Sequence, residues 1–125
     1  MLKNFILIII IILSLNTFAQ KSALSGQLVG GNREPVYNSV IALLTPKDSI
    51  LYKFTRSDKE GKFEFKNIKP GNFIIMTSHS RFADYVENID IKNGRNDVGA
   101  ISLMSKTELL REIDRKSTRL NSSHS

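Results

Sequence analysis

Hydrophobic and polar residues change their spacing along the chain near residue 20. Residues 5–15 form an apolar run that only Ser14 interrupts. From Ala23 onward, short segments of alternating apolar and polar residues are separated by Gly, Pro, Asn and Asp. Alternation with a period of two is typical of β-strands that bury one face, so this part of the chain is predicted to be all-β.

Seven short strands are predicted, at a spacing of roughly 8 to 12 residues. The clearest places Phe63 and Phe65 on one face, between Lys62, Glu64 and Lys66 on the other. The other predicted rows are Leu24, Gly26 and Leu28; Val40, Ala42 and Leu44; Ile50, Tyr52 and Phe54; Phe73 and Ile75; Ile89 and Ile91; and Ile101 and Leu103. Because no helical pattern separates these strands, the prediction is a seven-stranded antiparallel sandwich whose core includes Phe63, Phe65 and Phe73.

Two turns support this interpretation. Asp58 can cap a turn that ends at Gly61, where a positive φ is expected, and the segments on either side are predicted to pair as a hairpin. Pro70 and Gly71 have the residue types of a type II turn. Asp58 and Glu60 also suggest a calcium site, but they supply too few oxygen ligands for the EF-hand pattern, so a structural turn is favoured.

The first 19 residues have the layout of a secretory signal. Lys3 precedes the apolar run, and a polar segment ends at Ala19, after which cleavage is predicted. Eleven apolar residues in a helix span only about 16 Å of a roughly 30 Å hydrocarbon core, which disfavours a membrane anchor. The chain is therefore expected to be exported into a bacterial envelope, and without cysteine its fold depends on core burial.

The net charge of +6 is concentrated at the two ends of the chain. Removing Lys3 and the tail cations Arg115, Lys116 and Arg119 leaves 14 basic and 12 acidic side chains in residues 21–114, a balance of +2. This balance gives no basic surface for nucleic acid, and no nucleic-acid partner is expected.

The sequence lacks the common catalytic motifs, and no catalytic residue, cofactor or metal is predicted. It has no G-x-S-x-G, H-E-x-x-H or P-loop motif and no cysteine nucleophile. His79 is interpreted as a loop residue rather than a base. Asp84, Glu87 and Asp90 could form an acidic pair for hydrolysis, but solvated charges on an edge strand explain them better.

Four segments, at residues 25–29, 34–40, 57–73 and 98–103, resemble in order the carboxypeptidase regulatory-like domain family. The most specific part runs from Asp58 to Phe73 and reads D-x-x-G-x-F-x-F-x-x-I-x-P-G-x-F. The resemblance implies an Ig-like, prealbumin-like β-sandwich over residues 22–104. It is also similar to the version of this domain at the front of outer-membrane TonB-dependent receptors, where residues 110–113 resemble the segment that opens the linker to the plug.

The chain departs from the family pattern at three positions and at its end. Ser57 stands where Thr is usual, Phe73 where Tyr is usual, and Arg81-Phe82 where Gly-Tyr is common. Residues 115–125 fit no strand and resemble a translated sequencing-adaptor tail, so they are interpreted as non-native. Residues 105–114 are interpreted as a linker toward a missing plug domain.

The resemblance implies a non-enzymatic accessory domain of an outer-membrane TonB-dependent receptor or β-barrel protein. Its expected partners are the receptor plug and barrel, or envelope proteins, with membrane association only through the missing barrel. Two alternatives stay open: a carbohydrate-binding module of starch-binding-like fold, and the regulatory lobe of a secreted carboxypeptidase. In the first, Tyr37, Phe82 and Tyr85 would stack on a glycan.

Overall fold

The computed structural model of the chain describes residues 2–15 and 21–122. Helix α1 (Leu2–Leu15) is followed by strands β1 (Ser22–Val29), β2 (Val40–Leu44), β3 (Leu51–Arg56), β4 (Lys62–Ile68), β5 (Gly71–Ser78), β6 (Tyr85–Ile91) and β7 (Arg95–Ser102), and then by helix α2 (Lys106–Ser122). Within the described ranges, neither helix is long and apolar enough to cross a membrane. The cleavage position predicted after Ala19 lies outside the described residues.

The seven strands form two sheets that bury a common core. One sheet has the order β4-β1-β7 and the other β3-β2-β5-β6. Both sheets contribute apolar side chains to one cluster, which contains Leu24, Leu28, Val36, Ile41, Leu43, Phe63, Phe65, Ile68, Phe73, Ile75, Phe82, Ile91, Ile101 and Leu103. The predicted all-β, seven-stranded Ig-like sandwich is confirmed.

One strand pair departs from the predicted antiparallel arrangement. Strands β1 and β7 pair in parallel, from Ala23 opposite Arg95 to Val29 opposite Ser102. The other four pairs are antiparallel. A parallel pair needs a long connection between its strands, and here the five intervening strands provide it. Such a pairing leaves no local signal in the sequence.

The turn at Asp58 joins two sheets rather than two strands of one hairpin, so the predicted hairpin is wrong. β3 belongs to the four-stranded sheet and β4 to the three-stranded sheet. A tight turn fixes the direction of the chain but not its pairing partner. β4 pairs instead with β1, where Phe63 lies opposite Gly26.

The predicted inward faces of β2 and β3 also need correction. Ile41 and Leu43 are fully buried in the core, so Val40, Ala42 and Leu44 form the outer face of β2. Ile50 and Phe54, predicted to point inward, are 59% and 60% exposed. The apolar segment V-I-A-L-L contains no polar residue that would mark its outer face, and the alternation assumed for β3 is displaced by a bulge in its pairing with β2.

Helix α2 is an element that the sequence pattern did not indicate. It spans the region interpreted as a linker and continues into the region interpreted as a tail. The Ser105 hydroxyl accepts a hydrogen bond from the backbone N–H of Glu108, which caps the helix start. Ser105 and Glu108 have the spacing of a capping box just before Leu109 and Leu110, and this motif is the signal that could have identified the helix.

Candidate functional site

In the turn between β3 and β4, one carboxylate oxygen of Asp58 accepts two backbone hydrogen bonds. Its Oδ1 accepts the backbone N–H groups of Glu60 and Lys62, each at 2.9 Å. The Asp58 carbonyl accepts the Gly61 N–H, also at 2.9 Å. The described residues contain no group of three His, Cys, Asp or Glu side chains that could hold a metal ion. The geometry therefore assigns Asp58 to the structure of the turn.

Gly61 closes this turn against the backbone of β1. Its φ is +78°, and a Cβ placed there would lie 2.3 Å from the Leu28 carbonyl oxygen and 3.1 Å from the Val36 nitrogen. The Gly61 carbonyl accepts the Leu28 N–H, and the Leu28 carbonyl accepts the Val36 N–H. The second predicted turn, at Pro70 and Gly71, carries the chain from β4 to β5 with a Gly71 φ of +136°, and a Cβ placed there would have no atom within 4 Å.

The phenylalanines of the motif lie in the core. Phe63, Phe65 and Phe73 are at most 8% exposed, and the rings of Phe63 and Phe65 meet edge to face at 6.3 Å. Tyr52 stacks on Phe73 at 4.9 Å. Lys62 and Glu64 point to solvent. The segment from Asp58 to Phe73 thus organises the sandwich rather than a polar binding surface.

Two buried serines form a network that the sequence pattern did not reveal. The Ser57 hydroxyl donates to the Val36 carbonyl at 2.7 Å and accepts the Ser39 N–H at 2.9 Å. The Ser39 hydroxyl donates to the Ser78 carbonyl at 3.0 Å. These bonds join the β1–β2 loop to the ends of β3 and β5. Only a Thr or Ser at position 57 offers this pair of bonds, which explains why Ser57 can stand where the resembled family has Thr.

The three aromatic residues proposed for glycan stacking do not form an exposed platform. Tyr37 is 56% exposed, whereas Phe82 is only 8% exposed and belongs to the core cluster. The Phe82 ring meets His79 edge to face at 5.3 Å. Tyr85 is half-buried on the inner side of β6. Phe82 is therefore not free to stack on a sugar. Strand alternation could not predict its burial, because Phe82 lies between β5 and β6.

The His79 side chain is held in its loop by hydrogen bonds to backbone groups. Its Nδ1 accepts the Arg81 N–H at 3.0 Å, so a neutral ring carries its proton on Nε2, which lies 3.1 Å from the Tyr37 carbonyl oxygen. Both ring nitrogens thus have backbone partners. This arrangement holds the loop after β5 against the loop before β2, and it leaves no ring nitrogen free to act as a base.

The acidic residues near β6 do not converge. Glu87 lies opposite Ile75, which faces the core, whereas Asp90 lies opposite Asn72 on the outer face of the sheet. Residues three apart in a strand point to opposite faces, so these two carboxylates cannot share a proton. Glu87 instead lies near Tyr85, and burial together with this carboxylate raises the pKa of the Tyr85 phenol above its ordinary value of 10.0.

The loops at one end of the sandwich line an open pocket of about 530 Å³ beside the start of α2. Its charged rim consists of Glu34, Arg81, Lys106 and Glu108. The Lys106 N–H donates to the Arg81 carbonyl, and Phe82 and Ser105 form an isolated β-bridge. The first turn of α2 is therefore fixed to the sandwich.

Beyond that turn, the apolar side of α2 is uncovered. Leu109, Leu110 and Ile113 are 38%, 61% and 50% exposed. Helical spacing puts these three on one side, and Arg111 and Arg115 on the other. An amphipathic helix with an exposed apolar side is suited to contact with another protein surface.

The model of a β-sandwich family, described as BOS complex subunit NOMO1-like, second β-sandwich domain, matches residues 23–106. No curated protein matches the chain. The resemblance to the carboxypeptidase regulatory-like family and its receptor context stay predictions.

Several solved structures share the fold at low sequence identity. The major pilin subunit of Bacillus cereus is 13% identical, with a TM-score of 0.55 over 70% of this chain and 31% of that one. The minor pilin of Streptococcus agalactiae is 15% identical, with a TM-score of 0.54 over 69% and 45%. 3-Chlorocatechol 1,2-dioxygenase from Rhodococcus opacus 1CP is 8% identical, with a TM-score of 0.55 over 69% and 60%. This chain therefore spans less than two thirds of each, and the likeness concerns the fold alone.

Proposed function

The chain belongs, over residues 23–106, to the NOMO1-like second β-sandwich domain family, and from this premise we propose that it is an exported, non-enzymatic interaction domain at the front of an outer-membrane TonB-dependent receptor or related β-barrel protein. Its role is contact with the receptor plug or with envelope proteins on the periplasmic side. In this position it takes part in nutrient uptake without catalysing a reaction.

The uncovered apolar side of α2 is the observation that carries this proposal. The helix is fixed to the sandwich at its first turn and then exposes Leu110 and Ile113 to solvent. These residues belong to the segment 110–113 that resembles the linker to a receptor plug. Because these two side chains are already partly buried, covering the rest is worth about 1–1.5 kcal/mol each, which helps to hold a neighbouring domain of the same polypeptide in place.

The arrangement of the polar groups supports a non-enzymatic role. One Asp58 oxygen and both His79 ring nitrogens are occupied by backbone groups, and the β6 carboxylates diverge. The carbohydrate-binding alternative loses support because Phe82 lies in the core.

The direct test is the reading frame of the intact gene beyond Ile113. Plug and barrel strands after this position would support the proposal, whereas a glycosidase or a zinc peptidase would replace it with one of the two alternatives. In cells that express the intact protein, a photo-crosslinking amino acid at Leu110 should capture the plug, and the same probe at Arg111, on the opposite side of α2, should not. Equal capture from both positions would contradict a role for the apolar side.

A further inference from the structure

The outer faces of the two sheets differ in polarity. In the three-stranded sheet, the outer row of β4 is charged, with Lys62, Glu64 and Lys66 all exposed. In β1, Gln27 lies opposite Lys62 and Ser25 opposite Glu64. This face has the polar outer surface expected of a sandwich sheet in contact with water.

The four-stranded sheet has an apolar outer face. Its central strands β2 and β5 contain the continuous apolar runs V-I-A-L-L and F-I-I-M, which are typical of strands covered on both faces. The register puts Phe54, Ala42, Met76 and Val86 directly opposite one another, in one apolar row across all four strands. A second row contains Leu51, Leu44 and Ile74 and ends at Asn88.

These two rows form a continuous surface patch. Phe54, Val86 and Leu51, at the two edges, are 60%, 57% and 53% exposed, and Met76 and Ile74 are half-buried between them. With about 4.8 Å between strands and about 3.4 Å per residue, the four strands and two rows give a patch of roughly 19 Å by 14 Å. The largest apolar patch on the surface of a soluble domain is often an interaction site.

Two unpaired charges lie just beyond diagonally opposite corners of this patch. Arg56 is opposite Val40 at one end of β3, and Asp90 is opposite Asn72 at the other end of β6. The Arg56 guanidinium donates a hydrogen bond of 3.3 Å to the Asn38 side chain. Within the part of the chain that the structure describes, neither charge has an ion-pair partner.

We propose that this face binds the same face of a second copy of the chain across a two-fold axis. When the axis lies in the plane of the patch and perpendicular to the line from Arg56 to Asp90, the strands of the two sheets cross at a large angle, close to the orthogonal packing of β-sheets. Each Arg56 then meets Asp90 of the other copy, and the central part of the apolar patch covers its own image. Such an isologous contact is closed, so it makes dimers and no larger assembly.

The size of the patch sets the strength of the contact. Two such faces, at about 270 Å² each, cover roughly 500 Å² in total, which is below the size of a stable interface and within the range of weak, transient contacts. The dimer is therefore weak and forms at high protein concentration. The inference goes beyond the proposed function, since it involves a different surface from α2 and needs no receptor.

The experiment is sedimentation equilibrium of the full chain over two decades of concentration, with charge-reversal variants. The wild-type chain should show a monomer–dimer equilibrium. Arg56→Asp and Asp90→Arg should each weaken the dimer at least about tenfold, because each places like charges at both contacts. The double variant should restore it. Lys62→Glu, on the polar face of the other sheet, is the matched control and should dimerise like the wild type.

Three results would overturn the inference. The first is a monomer at every concentration. The second is association that neither charge reversal weakens, or that the double variant fails to restore, as expected for contact through α1. The third is a monomer that pellets with phosphatidylcholine vesicles and loses this binding in Phe54→Lys, which would make a lipid surface the occupant.

Chemical denaturation of each variant verifies folding. Phe54→Lys should abolish the dimer without lowering the unfolding midpoint, because Phe54 is 60% exposed.

Discussion

Replacing Gly61 with alanine should destabilise the domain far more than the same change at Gly99. Both glycines have left-handed backbone conformations, with φ of +78° and +71°. Alanine in this conformation costs roughly 1–2 kcal/mol, partly offset by the lower entropy of the unfolded chain. No atom lies within 4 Å of a Cβ at Gly99, so this backbone cost of about 1 kcal/mol should be the whole effect there.

At Gly61 a second cost is added. The new Cβ would lie 2.3 Å from the Leu28 carbonyl oxygen, so the β1 backbone must move away. The movement disturbs the bond from the Leu28 N–H to the Gly61 carbonyl and the bond from the Val36 N–H to the Leu28 carbonyl. At about 1–1.5 kcal/mol for each bond, the total loss should reach roughly 3–4 kcal/mol. This is a large part of the 5–15 kcal/mol that a small domain has.

Urea denaturation followed by far-ultraviolet circular dichroism measures both variants on the same scale. The midpoint of Gly61→Ala should fall well below that of Gly99→Ala, which should itself lie below the wild type by the smaller amount that corresponds to about 1 kcal/mol. If the two variants lost equal stability, the close approach of Gly61 to β1 would not contribute to the free energy of unfolding. The turn would then require glycine for its φ alone.

Three further predictions use the same assay. Ser57→Ala should cost about 1–3 kcal/mol because a buried N–H and a buried carbonyl lose their partner, whereas Ser57→Thr should keep both bonds and most of the stability; equal losses would contradict the network. Phe63→Ala should cost roughly 3–5 kcal/mol and Glu64→Ala less than about 0.5 kcal/mol, and the reverse order would mean that β4 faces the other way. The raised pKa of Tyr85 means that its phenol favours folding fully below about pH 10 and loses this contribution as the pH rises through the folded-state pKa, because the unfolded chain ionises first. Wild type should therefore lose more stability than Tyr85→Phe between pH 8 and pH 11, and parallel losses would refute the effect of burial and of Glu87.

The sequence predicted the parts of the fold that local chemistry determines. Strand β4 alternates regularly from Lys62 to Lys66, so its buried and exposed faces could be assigned residue by residue over these positions. The turn from Asp58 to Gly61 was predicted because a capping carboxylate and a residue with positive φ are local requirements. Where the apolar pattern is continuous, as in β2, the same reasoning has no polar residue to identify the outer side, and the predicted face was wrong.

Features that depend on distant parts of the chain could not be predicted in this way. The burial of Phe82 follows from loops that meet through His79 and Tyr37, which are far apart in sequence. Helix α2 and its apolar side could have been predicted from the sequence, because the capping box at Ser105 precedes Leu109 and Leu110. The sequence already favoured solvated edge charges at Asp84, Glu87 and Asp90 over an acidic pair, and the register agrees, since Glu87 and Asp90 lie on opposite faces.

The parallel pairing of β1 and β7 has a mechanical consequence. The start of β1 lies beside the start of β7, so the chain enters the sandwich at one end and leaves β7 at the other, about 26 Å away for eight residues of strand. Tension applied at Ser22 and Ser102 slides the two strands along each other and loads their hydrogen bonds together instead of opening them one at a time. Single-molecule pulling at these two residues should therefore meet higher resistance than pulling that peels β7 away from one end. A domain built in this way can transmit force along a polypeptide while staying folded.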